Sequence, residues 1–329
     1  MSKKFRTTIR LSLAILGCLV GLQHVAAQGY PNRALKFVVG FPPGGGNDVV
    51  ARVVGPHLTE ALGQHVVIEN RPGATGTVAA NAVAKSAPDG YTWLVGAVST
   101  NAIANSLYPN LPYDPERDLT PVTLLASIPQ LIAVHPSLEV RTVRELIEYA
   151  RANPGTLRFP SAGNGSTPHI AGEIFKMTTG TDLLHVPYKG AGQALPDLLS
   201  GRVQVSFDTT GTIISHVKAG KLRALAIATP KRFALIPDVP TAAEAGLPDF
   251  DISTWIGLFA PGGTAAAIVD LLHARIATVL RKPEVRNLLI NNIGSDDSAT
   301  ATPAEFASLV KRDIARYAKI IKIAGIRAD

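Results

Sequence analysis

Two glycine-rich stretches carry the residue types best suited to holding an anion. The first, Phe37–Val50, reads FVVGFPPGGGNDVV: a run of β-formers ends at Gly40, and a helical pattern opens at Asn47. The first turn of a helix leaves backbone N–H groups without partners inside the helix and carries the positive end of its dipole. Glycines let a phosphate or a carboxylate approach those donors closely. The candidate binding residues of this loop are Phe41, Pro43, Gly44, Gly45 and Asp48.

The second stretch is GNGSTPH, from Gly163 to His169. Here Gly163, Asn164 and Gly165 lead into a second helical pattern. The hydroxyls of Ser166 and Thr167 suit either helix capping or direct ligand contact. For His169, a structural hydrogen bond and a ligand contact are both open.

Further polar residues follow other predicted strands, and each has an ordinary structural alternative. Ser99 and Thr100 follow the third strand of the first half, and Asp208 follows the corresponding strand of the second half. These groups suit ligand or water contacts, and loop capping is the alternative. Tyr188 and Lys189 follow the middle strand of the second half; Lys189 either offsets ligand charge or is an exposed lysine.

Asp48 poses an electrostatic problem, because a carboxylate beside the first loop would repel an anionic ligand. It complements the dipole of the helix it begins. We therefore predict that Asp48 organises the loop and lies near the site.

The elements that must position these residues form six strand–loop–helix units in two sets of three. The predicted strands are Ala34–Gly40, His65–Glu69 and Tyr91–Ala97, then Thr156–Ala162, Leu183–Val186 and Val203–Phe207. Such alternation predicts an α/β protein with mainly parallel sheets flanked by helices. In sheets of this kind the loops at the carboxyl ends of the strands line the ligand crevice.

Two apolar runs, Val122–His135 and Ile252–Pro261, are long enough to pass from one sheet to another. We predict a two-lobed protein with these runs as its hinge, in which lobe one is 28–126 with 254–329 and lobe two is 127–253. One continuous large sheet is the alternative.

Helix signals continue after the second set. Thr241 and Glu244 predict a capping box for a short helix in Pro237–Gly246, and Thr264 is a predicted helix cap. Thr302-Pro303-Ala304-Glu305 begins a last helix, with its apolar stripe at Phe306, Leu309, Val310, Ile314, Tyr317 and Ile321 and its end at Gly325. We assign this helix to lobe one.

The first 27 residues have the pattern of a cleaved secretory signal peptide. Four basic residues precede the apolar run Leu11–Leu22, and Val25-Ala26-Ala27 offers a cleavage site. An uncleaved membrane anchor and lipidation at Cys18 are the alternatives. Cleavage after Ala27 removes the only cysteine and lowers the formal charge from +7 to +3, because residues 1–27 contain no acid. The residual charge gives little reason to expect nucleic acid as a partner.

Taken together, several motifs resemble one family over the whole chain after the leader. FPPGGGNDVVARVV, NRPGATGTVAA, APDGYTWLVG, GNGSTPH, VPYKG and IPDVPTAAEAG occur in the order found in the periplasmic receptors of tripartite tricarboxylate transporters, the Bug or TctC family. The resemblance implies a type II-like, two-lobed periplasmic binding protein. It further implies a monomer without cofactor, which closes on a small organic carboxylate and delivers it to two membrane subunits. Ligands of the family include di- and tricarboxylates, acidic amino acids and aromatic acids.

Three other classes fit less well. Ser166, His169 and Asp208 suggest a secreted hydrolase, but GNGST is not a G-x-S-x-G elbow. The PPGGGND loop lacks the lysine of a P-loop and the spacing of a dinucleotide-binding loop. The histidines form no pair with metal-ligand spacing.

Overall fold

The computed structural model describes residues 29–108, 110–296 and 301–327. The predicted leader and Cys18 lie outside the described residues. The strands are β1 (Leu35–Val39), β2 (Val66–Asn70), β3 (Thr92–Ala97), β4 (Leu119–Val134), β5 (Arg158–Ser161), β6 (Leu184–Pro187), β7 (Val205–Thr209), β8 (Arg223–Ile227) and β9 (Ser253–Pro261). All six predicted units begin with one of these strands, so the alternation of β-formers and loop residues located them correctly.

The longer sheet has the strand order β2-β1-β3-β9-β4-β7, with β8 also paired to β4. β1 runs parallel to β2 and β3, whereas β9 runs antiparallel to both β3 and β4. β5 and β6 form a separate parallel pair. The β5–β6 pair adjoins β7, because the Gln204 N–H donates to the carbonyl of Arg158 at 3.0 Å.

β4 is the strand that links the two sets of units. From Leu119 to Pro129 it pairs with β9, and from Gln130 to Val134 it pairs with β7. Because β4 leaves the first set and β9 returns to it, the two run antiparallel. Pro129, which lacks an N–H donor, stands where β4 changes partners, so it does not interrupt the strand.

The helices cover both faces of the sheets and connect the strands. They are α1 (Gly46–Leu62), α2 (Thr77–Ala84), α3 (Ala104–Leu107), α4 (Val143–Ala152), α5 (Thr167–Thr179), α6 (Ala191–Leu199), α7 (Thr210–Lys218), α8 (Ala266–Leu280), α9 (Pro283–Ile293) and α10 (Pro303–Ala324). A 3₁₀ turn (Ala74–Gly76) precedes α2, and a π-helical turn (Ser99–Ile103) precedes α3. Among the described residues, no helix is both long and apolar enough to cross a membrane.

Two predicted helix starts are wrong. The Thr264 hydroxyl donates to the carbonyl of Pro261 at 2.8 Å, and α8 begins only at Ala266. Thr241 and Glu244 do exchange the two hydrogen bonds of a capping box, yet the segment after them forms turns. Reciprocal capping satisfies the backbone locally, but Gly246, with a φ of 89°, and Pro248 end the segment within a few residues of the box.

The last helix, α10, matches its prediction and reaches further than expected. Thr302 and Glu305 form the capping box, and Gly325 ends the helix in a left-handed conformation. α10 packs on β4, on the π-helical turn and on α3, and it also contacts α5 of the second set. One apolar cluster consequently joins Phe306 of α10 to Phe159 of β5.

Candidate functional site

The first glycine loop ends at Gly45, which is the N-cap residue of α1. Pro43 and Gly44 are exposed and Phe41 is half-buried. The Gly44 N–H donates to Asp48 Oδ2 at 2.9 Å, so the loop is tied to the first turn of its own helix.

Asp48 is the anchor of this loop, and its charge is already matched. Its side chain accepts hydrogen bonds from Arg52 Nε at 2.8 Å and from Asn70 Nδ2 at 2.9 Å. Burial alone would raise its pKa, but the hydrogen bonds from Arg52, Gly44 and Asn70 outweigh it and lower the pKa to about 2. The carboxylate therefore organises the loop, as predicted, without presenting an unmatched charge to an anionic ligand.

We expect Asp48→Asn to lower the free energy of unfolding by roughly 1–2 kcal/mol at pH 7, because three hydrogen bonds to a charged acceptor are weakened. A carboxyl with a lowered folded-state pKa contributes its stability above its unfolded value near 3.8 and loses it as the pH falls toward 2. Urea denaturation between pH 7 and pH 2 should show the wild-type advantage shrinking over that interval.

The matched control for this variant is Asp270→Asn, which neutralises an exposed carboxylate on α8. We expect this change to stay within about 0.5 kcal/mol. An Asp48→Asn protein as stable as the control at pH 7 would contradict the anchoring role.

The loop after β2 packs directly against the first glycine loop. A Cβ atom on Gly40 would lie 2.6 Å from Gly76 Cα, and one on Gly76 would lie 3.3 Å from Phe41 Cε2. Thr100 is buried, and its hydroxyl donates to the carbonyl of Thr75 at 2.8 Å. The carboxyl ends of β1, β2 and β3 thus form one wall that contains Phe41 and Thr100, with half-buried Ser99 beside it.

Ala74 and Thr75 in this wall have left-handed backbones, with φ of 44° and 56°. L-residues adopt this region only at a cost, and such strain concentrates at functional sites. The Thr75 hydroxyl also lies 3.2 Å from the Tyr108 hydroxyl. Sequence reasoning missed Thr75 and Tyr108, because NRPGATG predicts a loop but not which non-glycine residues turn left-handed.

The second glycine loop ends at Ser166, the N-cap residue of α5. The Ser166 hydroxyl makes no capping hydrogen bond, and its oxygen is buried with no partner in the described chain. Of the two roles open for Ser166, the structure therefore does not show capping. Thr167 is buried at the first position of α5, and Asn164 is half-buried.

His169 serves the structure of this loop. Its Nδ1 accepts the Gly165 N–H at 3.1 Å, and its ring stacks on His185 with centroids 3.7 Å apart. Burial, together with the nearby His185 and Lys176, lowers its pKa to about 3, so the ring is neutral at physiological pH. His185 in turn lies 2.6 Å from the Ser161 hydroxyl, which donates to the carbonyl of Gly163.

A Ser166–His169–Asp208 triad is not assembled. Nδ1 of His169 is occupied by Gly165, and its Nε2 lies 4.0 Å from Glu173. Asp208 accepts the N–H of Thr209 at 2.7 Å, and burial raises its pKa. The hydrogen bonds that proton transfer requires are therefore missing among these three residues.

Tyr188 and Lys189 lie near the second loop, but the hydroxyl of Tyr188 hydrogen-bonds outside it. The Tyr188 hydroxyl donates to Asp197 at 2.8 Å, while a Cβ on Gly163 would lie 3.4 Å from the Tyr188 carbonyl. Lys189 is exposed. Tyr188 thus borders the loop through its backbone.

The two sets of loops touch each other. A Cβ atom on Gly165 would lie 2.1 Å from Leu107 Cδ1, so the second glycine loop rests against α3. At a separate point, the Thr210 hydroxyl donates to the carbonyl of Gly294 at 2.7 Å. Leu107 was another residue that sequence reasoning missed, since an apolar helix residue gives no sign of its distant partner.

Comparisons with known proteins agree on one family. The family model described as tripartite tricarboxylate transporter family receptor matches residues 50–326. The chain is 36% identical to protein BugT of Bordetella pertussis over 320 residues, which covers 96% of this chain and 98% of BugT.

Two of the solved structures that are similar to this chain contain a bound ligand. R. palustris Rpa4515 with adipate is 37% identical with a TM-score of 0.79, covering 91% of this chain and all of that one. MatC (Rpa3494) from Rhodopseudomonas palustris with bound malate is 36% identical with a TM-score of 0.75, covering 89% of this chain and all of that one.

Proposed function

Since the chain belongs to the receptor family of tripartite tricarboxylate transporters and has the two-lobed fold of periplasmic binding proteins, we propose that it binds a small organic carboxylate between its lobes. We propose further that it delivers this carboxylate to the membrane subunits of such a transporter. The resemblance noted in the sequence is thereby confirmed at the level of the family. The adipate and malate bound to its structural relatives support a carboxylate as the ligand.

The observation that carries this proposal is the Ser166 hydroxyl. A buried hydroxyl without a hydrogen-bond partner destabilises the protein by roughly 1–3 kcal/mol. A ligand that hydrogen-bonds to this hydroxyl on binding is therefore favoured. It stands at the N-terminus of α5, where free N–H groups and the positive end of the helix dipole favour an anion. A carboxylate is the ligand chemistry that uses both features at once.

The same arrangement can reach useful affinity without a salt bridge. Each helix terminus contributes roughly 0.3–1 kcal/mol, and up to about 2 when partly buried. Charge-assisted hydrogen bonds contribute roughly 1.5–3 kcal/mol each before desolvation is deducted. A few such contacts, shared between the loops that begin α1 and α5, reach the 8 kcal/mol or so of a micromolar complex.

The ligand is proposed to close the two lobes about β4 and β9, with boundaries near 126/127 and 253/254. Binding stabilises the closed arrangement by its differential affinity for that arrangement. We further propose that the receptor works as a monomer after removal of its leader.

The test has two stages. A thermal-shift screen of adipate, malate and other di- and tricarboxylates, acidic amino acids and aromatic acids, with nucleotides and an esterase substrate beside them, identifies the ligand class. Calorimetric titration of Ser166→Ala, Thr167→Ala and Lys189→Ala with the most strongly stabilising acid then tests which side chains hold the ligand. We expect each hydroxyl variant to bind about tenfold more weakly or worse, since about 1.4 kcal/mol is tenfold.

Lys189→Ala is the matched comparison, because it removes an exposed charge beside the same loop. We expect it to cost less than either hydroxyl variant. Normal binding by the hydroxyl variants together with loss of binding in Lys189→Ala would show that a salt bridge holds the ligand. Stabilisation by nucleotides alone, or esterase activity, would reject a carboxylate receptor.

A further inference from the structure

The excess positive charge of the chain is concentrated on its last helix and the three residues that follow it. Residues 303–327 contain six basic residues and two acidic ones, Glu305 and Asp313. The rest of the chain after residue 27 has 22 basic and 23 acidic residues, hence a formal charge of −1. Asp313 is buried and accepts the indole N–H of Trp255 at 2.7 Å, and its carboxyl group also interacts electrostatically with Arg312 and Arg316.

Four of these cations form one exposed face of α10, which we call the basic face: Lys311, Arg312, Lys319 and Lys322. Their spacing places them opposite the buried stripe that contains Phe306, Val310 and Tyr317. No carboxylate of the described chain lies within 4.0 Å of any of these four side chains. Among the described residues the basic face therefore forms no ion pair, although Arg312 interacts electrostatically with the buried Asp313.

The helix dipole explains only part of the basic face. Lys322 lies in the last turn of α10, where a cation is favoured. Lys311 and Arg312 lie in the middle of the helix, where the dipole offers nothing. Arg316, by contrast, is half-buried and donates to the backbone carbonyls of Asp251 and Asp249, so it has a structural role and is not counted in the basic face.

We propose that the basic face of α10 is a docking surface for an anionic phospholipid membrane. Clusters of four or more cations on an amphipathic helix suit the diffuse negative charge of such a surface, which demands no matching geometry. A protein partner fits less well, since protein interfaces are depleted in lysine and need an apolar centre. Three of the four cations are lysines, and among the described residues of α10 the one large exposed apolar side chain is Ile323, 58% exposed.

The position of α10 gives this docking a consequence. The helix packs on β4, the strand that joins the two sets of units, and on both α3 and α5. Because α10 contacts both sets of units, a membrane bound to its basic face would lie against the helix that spans the junction between the two sets. The apolar side of α10 is buried in the protein core, so attachment is electrostatic, reversible and sensitive to salt.

The experiment is vesicle co-sedimentation of the protein at low ionic strength, with vesicles of about 30% phosphatidylglycerol in phosphatidylcholine and with pure phosphatidylcholine as the baseline. We expect binding to the anionic vesicles above the baseline, lost when NaCl is raised from about 20 to about 300 mM. The combined variant Lys311→Gln, Arg312→Gln, Lys319→Gln, Lys322→Gln should bind at least about tenfold more weakly.

The control removes the same charge from four exposed cations of the second set: Arg141→Gln, Arg144→Gln, Lys218→Gln, Lys221→Gln. It should bind within about threefold of wild type, and circular dichroism should show that both variants unfold at the wild-type temperature. Equal loss in the two variants would attribute binding to net charge and overturn the proposal. Absence of binding above baseline would also overturn it.

Discussion

Gly165→Ala should lower the free energy of unfolding by roughly 2–5 kcal/mol. Two costs combine at this position. Gly165 has a φ of 71°, where an L-residue costs roughly 1–2 kcal/mol. Its new Cβ would lie 2.1 Å from Leu107 Cδ1, and overpacking of this kind costs roughly 1–3 kcal/mol. Because the loop that begins α5 is part of the proposed site, carboxylate affinity should fall with stability.

A control on the same helix separates the two costs. Gly180 ends α5 with a φ of 61°, and a Cβ there would have no atom within 4 Å. Gly180→Ala should therefore show the backbone cost alone. In a double-mutant cycle with Leu107→Ala, the double variant should lose less stability than the sum of the losses of the two single variants, as contacting residues do. Equal unfolding free energies for the Gly165 and Gly180 variants, measured in urea, would show that Leu107 does not press on the loop.

The contact between Leu107 and Gly165 also marks the limit of prediction from sequence. Strand positions followed from local patterns, since runs of β-formers alternate with glycine-rich loops. The capping box at Thr302 and the stop at Gly325 followed in the same way. All these features are decided within a few residues of the chain.

What the sequence could not supply depends on residues far apart in the chain. The left-handed backbones of Ala74 and Thr75 persist because Thr100 holds the carbonyl of Thr75. The hydroxyl of Ser166 stands in a capping position without making a capping hydrogen bond, which its position in the sequence does not reveal.

Gly40→Ala should be similarly severe, for a different reason. The φ of Gly40 is not left-handed, so an alanine can adopt the same backbone conformation there. Its Cβ, however, would lie 2.6 Å from Gly76 Cα and 3.0 Å from the Gly76 carbonyl oxygen. These are backbone atoms, which cannot move aside like the end of a side chain. The loops after β1 and β2 must separate, at a cost of roughly 3 kcal/mol or more.

That separation would also break the wall at the carboxyl ends of β1, β2 and β3, so we expect carboxylate binding to weaken more than tenfold. Gly55→Ala is the matched control: it lies within α1, and its Cβ would meet Ile68 Cδ1 at an ordinary 3.5 Å. Alanine favours a helix interior by up to about 1 kcal/mol over glycine, so this change should leave stability unchanged or raised. Urea denaturation and calorimetric titration of both variants measure the unfolding free energy and the carboxylate affinity. A Gly40→Ala protein that is as stable and binds as tightly as Gly55→Ala would show that the close approach of the two loops is not required.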